Sequence, residues 1–489
     1  MQDVLLKRSL KKGAFTTLVG RYSNILIQLA VTAVLARLLS PVEFGVLAQF
    51  MVFTVFFNLL GEIGIGPAII HFDDIGEDGI LSLFFVMAIL GAILFFAFYI
   101  SSAPISKFFY TEKYVPVVRS MAWIVLFSCL TVVPANVLRK RRQFALSAGI
   151  EVFASIVSGG VAVVLAYRGA GIFSLIWKTI IQSAMIMLAS FVFSKIRLKF
   201  RFDRTSVMRI WSYSSYQAGF NILNYFSRNM DTLLIGRYLD QTALGFYNMA
   251  YRLMTMPITA LAGIISPILQ PIYSPLQADP QRIKNSYVDV IHLLAILGGF
   301  VSLESVWCSR ELILLFCGPQ WTGAISVFSL LGSIIWLQII LSSSGAIWQA
   351  LGKTNYLFLC GIFSASVNVT AIVSGVAIGS IEAVAAGLIV SFVLSFIQCY
   401  WLMGRVAFHC SPLKIFEGSK RVILVILILL PISYAIPEPF GHQLTIVQAL
   451  FAKGFFLLLF YFGILVFLKD NQVLGLMSFL WKRIHRVST

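Results

Sequence analysis

Three arginines stand inside long apolar stretches of this sequence: Arg21, Arg228 and Arg252. A guanidinium keeps its charge at any relevant pH and binds phosphate oxygens through paired hydrogen bonds. An ionised side chain within a membrane is costly and usually faces a cavity, a partner or the interface. The first arginine belongs to a pattern. Thr17, Arg21, Asn24, Gln28 and Thr32 follow steps of four, three, four and four, which at about 100° per residue keeps them on one narrow helix face. At a constant offset of 200 residues stand Gln217, Asn221, Asn224, Arg228 and Thr232, polar at every position. Arg252 lies in "YNMAYRLM" (247–254), near Tyr247 and Tyr251. Arginines in a cleft suit a phosphate or pyrophosphate, and neighbouring Tyr, Asn and Gln suit sugar hydroxyls. The expected ligand is therefore an anionic amphiphile with a polar, glycan-like part. Asn24, Gln28, Asn221, Asn224 and Tyr251 are the expected polar lining of its cavity; the alternative role for such residues is hydrogen bonding between helices.

Two acids lie in apolar surroundings. Asp231 follows Arg228 by three residues, within reach of an intrahelical ion pair, and Glu62 lies toward the end of the second apolar segment. Both are candidates for coupling to H+ or Na+. Lys178 and Lys453, each about two turns from a helix end, are expected to snorkel to the interface. Nothing in the chain points to catalysis. The five histidines (His71, His292, His409, His442, His485) are scattered, and there is no Walker A pattern and no CxxC pair. No metal site, no cofactor and no enzymatic activity are expected. The six cysteines are expected as free thiols, with Cys308 and Cys317 the one pair placed to form a bridge.

The elements that must position these groups are membrane helices. Of 489 residues 59% are hydrophobic and 12% charged, and the mean hydropathy is +0.90, far from the composition of a soluble globular domain. The start "MQDVLLKRSLKK" leads into a full-length apolar segment with no small-residue cleavage pattern, so the first span is expected to be retained. Apolar segments long enough to cross about 30 Å of hydrocarbon begin near Ala14, Val42, Ile80, Val115, Phe144, Gly171, Ser212, Ala243, Val288, Ala324, Leu357, Ile381, Val422 and Thr445, fourteen in all. With both termini cytoplasmic, the cytoplasmic segments carry 25 Lys and Arg and the external ones seven. This bias sets the expected orientation. The net charge of +17 is thus a topology signal and not a nucleic-acid footprint, although "RKRR" (139–142) and "KIRLKFR" (195–201) also suit anionic lipid headgroups.

An internal repeat organises the spans. Asn24, Thr32, Arg37, Leu39, Gly45, Ile65 and Pro67 recur without a gap as Asn224, Thr232, Arg237, Leu239, Gly245, Ile265 and Pro267. An even number of spans separates the copies, so the two units run in the same direction and form a parallel repeat. The expected fold is all-α and polytopic, with two six-helix lobes and two extra C-terminal helices. The expected division is 1–194 (helices 1–6), a basic cytoplasmic linker 195–210, 211–406 (helices 7–12), and 407–489 (helices 13–14 with a cytoplasmic tail). In "ARLLSPVEFG" (36–45) Ser40 is placed as an N-cap, Pro41 at the first helical position and Glu43 as the return arm of a capping box; in "GRYLDQTALG" (236–245) Asp240 caps alone. These turns join helices, and Gly45 and Gly245 allow close approach.

The stretches "GRYSNILIQLAVTAVLARLLSPVEFGVLAQF", "GEIGIGPAII", "NMDTLLIGRYLDQTALGFYNMAYRLMTMP" and "LQADPQRIKNSYVDVI" resemble the polysaccharide transporter family, the Wzx-type lipid-linked oligosaccharide flippases, within the multidrug, oligosaccharidyl-lipid and polysaccharide exporter superfamily. The likeness runs through about the twelfth helix. It implies translocation of undecaprenyl-pyrophosphate-linked oligosaccharide units from the cytoplasmic to the outer leaflet by alternating access, for exopolysaccharide, O-antigen or teichuronic-type polysaccharide. It also implies a bacterial cytoplasmic (inner) membrane location, membrane lipids and a polysaccharide polymerase machinery as partners, and pyrophosphate held by the cationic cavity residues, which map onto Arg21, Arg228 and Arg252. A multidrug antiporter of the same superfamily and an integral-membrane glycosyltransferase or polymerase are the alternatives.

Overall fold

The protein is described by a computed structural model that covers residues 2–62, 65–66, 69, 76–110, 112–196, 225–226, 228–435, 445–470 and 472–475, with the backbone alone for 2–18, 264, 266, 267 and 435. Within these residues there is no strand. Helices follow from the composition, because in hydrocarbon every backbone N–H and C=O must be satisfied within its own segment.

The chain forms two compact units, Met1–Gly245 and Phe246–Thr489. The first contains α1 (Gln2–Leu38), α2 (Pro41–Glu62), α3 (Glu77–Phe108), α4 (Val115–Lys140), α5 (Phe144–Tyr167), α6 (Ile172–Ser194) and α7 (228–238). It also holds the start of α8 (Gln241–Tyr273), which continues into the second unit. The second then adds α9 (Pro280–Trp307), α10 (Ser309–Phe316), α11 (Ile325–Gly332), α12 (Ile335–Ala350), α13 (Thr354–Ile378), α14 (Ile381–Leu402), α15 (Lys420–Ala435) and α16 (Ile446–Phe467).

Among the described residues eleven helices are long and apolar enough to span a membrane, or twelve when α11 and α12, bent by 54° across a short break, count as one. Fourteen spans were expected. The other two, starting near Ser212 and Val422, run into residues outside the described set. The chain is a multi-pass membrane protein.

The helix starts obey their sequence signals. Glu43 Oε2 accepts from the Ser40 backbone N–H at 2.7 Å, and Ser40 Oγ accepts from the Glu43 N–H at 3.4 Å, which closes the capping box at α2. At α8, Asp240 Oδ1 accepts from the Ala243 N–H at 2.6 Å. In the first unit α2, α3, α4 and α6 enclose a core around Phe50, Met87, Phe98, Val118 and Met121. In the second unit a buried polar chain ties three helices together. Tyr287 of α9 shares hydrogen bonds with Ser343 of α12 at 2.7 Å and with Tyr400 of α14 at 2.9 Å, and Tyr400 Oη donates to the Ile340 carbonyl at 3.0 Å.

Exposed apolar side chains form lipid-facing stripes. On α16, Phe451, Phe455 and Leu459 are exposed at steps of four, while Lys453, Leu457, Tyr461 and Leu465 are buried at the same step on the other side. That register decides where Lys453 points.

Candidate functional site

In the first unit α1 packs along α5. A Cβ on Gly159 would crowd Val31 and one on Gly20 would crowd Ala148, so small residues set the approach. Asn24 on this face accepts a hydrogen bond from Ser155 Oγ at 2.7 Å, and Ser155 Oγ accepts one from Gln182 Nε2 of α6 at 3.1 Å. Thr32 is buried as well, whereas Arg21 is exposed and Gln28 half-buried. One stripe therefore serves two purposes: Asn24 links helices, and Arg21 presents an exposed guanidinium.

Arg228 of α7 is exposed, three residues before a buried Asp231. Asp231 Oδ1 accepts from the Thr232 N–H at 2.7 Å. Asn221 and Asn224 lie outside the described residues. Glu62 is the exposed last residue of α2.

The repeat turn before α8 carries chemistry that the sequence pattern did not announce. Arg237 lies over the Tyr110 ring at 3.8 Å from its centroid, donates to Tyr110 Oη at 2.7 Å and also donates to the Phe108 carbonyl. Beside it, Gln49 Nε2 donates to the Gly236 carbonyl at 2.9 Å, and a cavity of about 400 Å³ opens between Gln49, Tyr110, Arg237 and Asp240. In the sequence Arg237 stands out only by its identity with Arg37 at the repeat offset.

In the second unit Arg252 is exposed on α8, and Tyr247 and Tyr251 stack with centroids 5.8 Å apart. Arg21 and Arg228 thus belong to the first unit and Arg252 to the second, each with an exposed side chain; α1 and α8, which carry Arg21 and Arg252, are long and apolar enough to span a membrane.

Lys453 departs from expectation. Instead of snorkelling it is 4% exposed, and its Nζ contacts Glu311 Oε1 at 2.6 Å. The apolar stripe of α16 must face lipid, which turns position 453 inward toward α10.

His292 of α9 was grouped with the scattered histidines, but it is buried and bonded at both nitrogens. Nδ1 lies 2.6 Å from the Gly418 carbonyl, to which it must donate, and Nε2 lies 3.0 Å from Asp470. Asp470 Oδ1 also accepts from the backbone N–H groups of Gln472 and Val473. This pair lines a second cavity of about 490 Å³ with Asp289, Glu417, Lys420 and Arg421. All six cysteines are free, and among the described residues no group of three His, Cys, Asp or Glu side chains is placed to hold a metal.

The sequence profile described as "polysaccharide biosynthesis protein" matches residues 34–326, more than half of the chain. The chain belongs to this family. Its relatives include the teichuronic acid biosynthesis protein TuaB of Bacillus subtilis, 25% identical over 82% of this chain and 83% of that protein. The lipopolysaccharide biosynthesis protein WzxC of Escherichia coli is 23% identical over 76% of each chain. Among solved structures, the lipid II flippase MurJ in an inward closed conformation superposes with a TM-score of 0.74 at 13% identity, covering 93% of this chain and 99% of that one. A multidrug resistance transporter of the MATE family, inward-facing, follows at a TM-score of 0.59 and 16% identity, over 81% and 96% of the two chains. At such identities these likenesses show the fold alone, an all-α polytopic one.

Proposed function

We propose that the protein is a flippase that carries undecaprenyl-pyrophosphate-linked oligosaccharide repeat units from the cytoplasmic to the outer leaflet of a bacterial inner membrane, by alternating access. The observation that carries this reading is the set of exposed guanidinium groups, Arg21, Arg228 and Arg252, on the helices of a polysaccharide biosynthesis family member. Pyrophosphate is the part of such a substrate that pays most for leaving water, and bidentate guanidinium contacts replace its hydration. The glycan stays in a hydrated space lined by groups such as Gln28 and Tyr251, while the polyprenyl tail remains in lipid. The chain acts as a transporter and performs no covalent chemistry. The bias of 25 cytoplasmic to seven external cations supports cytoplasmic termini. Asp231 and Glu62 are retained as coupling candidates, with H+ or Na+ as the ion, and a polysaccharide polymerase as the partner that consumes the exported unit.

A multidrug antiporter shares the fold, but its usual cationic cargo would be repelled by three arginines. The deciding experiment reconstitutes the purified protein in vesicles loaded with defined lipid-linked oligosaccharides and follows access of an external glycan-cleaving enzyme. Protein-dependent exposure of the glycan supports the reading. Exposure no faster than in protein-free vesicles, together with drug efflux by the same vesicles, would replace it with the antiporter.

A further inference from the structure

The cavity of about 400 Å³ at the repeat turn is lined by residues of the first unit alone. That volume is ordinary for a small-molecule site, about 300–1,000 Å³. Helix α2 supplies Val42 and Gln49, about two turns apart on one face. Tyr110 comes from the turn after α3, and Arg237, Asp240 and Thr242 from the end of α7 and the start of α8. Gln49 is the group that asks for a ligand. It is fully buried, its Nε2 donates to the Gly236 carbonyl, and its Oε1 is buried with no hydrogen-bond partner. A buried acceptor left unmatched is disfavoured, so this wall of the cavity calls for a donor.

The other polar groups narrow the ligand's chemistry. Arg237 donates to Tyr110 Oη and to the Phe108 carbonyl, which fixes its guanidinium and leaves further N–H groups as donors. Tyr110 Oη accepts that bond and keeps its own proton to give. Asp240 Oδ1 accepts from the Ala243 N–H, and the second carboxylate oxygen remains an acceptor. Donors and acceptors therefore share one space. A simple anion would meet the Asp240 carboxylate and could give nothing to Gln49 Oε1, while an ammonium or metal cation would meet the Arg237 guanidinium. A hydroxyl both donates and accepts, so a compound with several hydroxyls matches Gln49, Tyr110, Arg237 and Asp240 together. Val42 and Phe109 add apolar surface for its C–H faces.

We propose that this cavity is a sugar-binding site, in which Gln49 Oε1 and Asp240 accept from hydroxyls and Arg237 and Tyr110 donate to them. None of the arginines assigned to pyrophosphate takes part. With the cytoplasmic termini proposed above, the ends of α3 and α7 lie on the outer side, so the site receives a short stretch of the glycan as it leaves the protein. That role rests on the flippase reading; sugar binding itself does not.

The test has two arms. In the first, purified protein in phosphatidylcholine nanodiscs is titrated with oligosaccharides released from the polysaccharide that the source cell exports, and with glycerol and inorganic phosphate as separate probes, by saturation-transfer NMR. Two variants accompany the wild type: Asp240→Asn, which keeps the oxygen that caps α8 and loses the carboxylate, and Thr242→Phe, which fills the cavity. The oligosaccharide is expected to bind the wild type, and each variant roughly tenfold or more weakly. No transfer to the sugar in the wild type, or equal affinity in all three proteins, would overturn the site. Phosphate or glycerol binding as tightly as the oligosaccharide, with the same loss in Thr242→Phe, would overturn its assignment to sugar. In the second arm, glycan exposure in vesicles is compared between the wild type and Thr242→Phe. A several-fold slower variant is expected, and an equal rate would overturn the exit role. Failure of the wild type to expose glycan would count against the flippase reading, with the NMR arm still deciding the sugar site.

Discussion

Gly45 and Gly245, exactly one repeat apart in the chain, face each other across the crossing of α2 and α8. A Cβ on Gly45 would overlap the Gln241 carbonyl oxygen and lie 3.1 Å from the Gly245 nitrogen, and a Cβ on Gly245 would overlap the Pro41 carbonyl oxygen. The contact is reciprocal: each glycine meets the first turn of the other's helix.

Alanine at either glycine should therefore force the two helix starts apart. Overpacking of this kind costs about 1–3 kcal/mol. The thermal transition of purified Gly45→Ala or Gly245→Ala should fall accordingly, whereas Gly463→Ala, with open space around the added methyl, should leave it unchanged.

Removing one phosphate-binding guanidinium should weaken capture of the substrate. With about 1.5–3 kcal/mol for a hydrogen bond to a charged group, Arg21→Ala, Arg228→Ala and Arg252→Ala should each lower glycan exposure at limiting substrate by roughly tenfold or more. Lys at the same positions keeps the charge and loses the paired geometry, so intermediate rates are expected. Full transport by all three alanine variants would remove these residues from the site.

Lys453 and Glu311 are expected to behave as a coupled pair. Truncating one partner of a buried ion pair costs about 3–5 kcal/mol because the other charge is stranded. Lys453→Met and Glu311→Leu should each destabilise the protein strongly, and the double variant by less than the sum, in a double-mutant cycle read from denaturation midpoints.

Asp470 Oδ1 accepts from the backbone N–H groups of Gln472 and Val473 and lies 3.0 Å from His292 Nε2. Asp470→Ala leaves these donors unpaired, at about 1–3 kcal/mol for each one that stays buried. Hydrogen exchange at Gln472 and Val473 should speed up, with little change at the network of Tyr287, Ser343 and Tyr400, in which none of these groups takes part.

The ends of elements were legible in the sequence because their signals are local: Ser40, Pro41, Glu43 and Asp240 act within three residues of themselves. The apolar spans were legible for the same reason. Lys453 was not, since snorkelling is a property of a single helix and its partner Glu311 stands 142 residues away. Asn24 looked like cavity lining by its spacing, yet its hydrogen bond goes to Ser155, 131 residues on. The 54° break between α11 and α12 has no proline at it. Gly332, at the end of α11, is pressed against Ser305 of α9, so the bend follows a contact between helices that periodicity does not encode.

At the crossing of Gly45 and Gly245 the obstruction to any side chain is main-chain oxygen, which every residue possesses. No second-site change of side chain can clear it. A genetic screen for suppressors of Gly45→Ala should then recover reversion to glycine or changes that shift a whole helix, and compensating exchanges between the two positions should be missing from the pool.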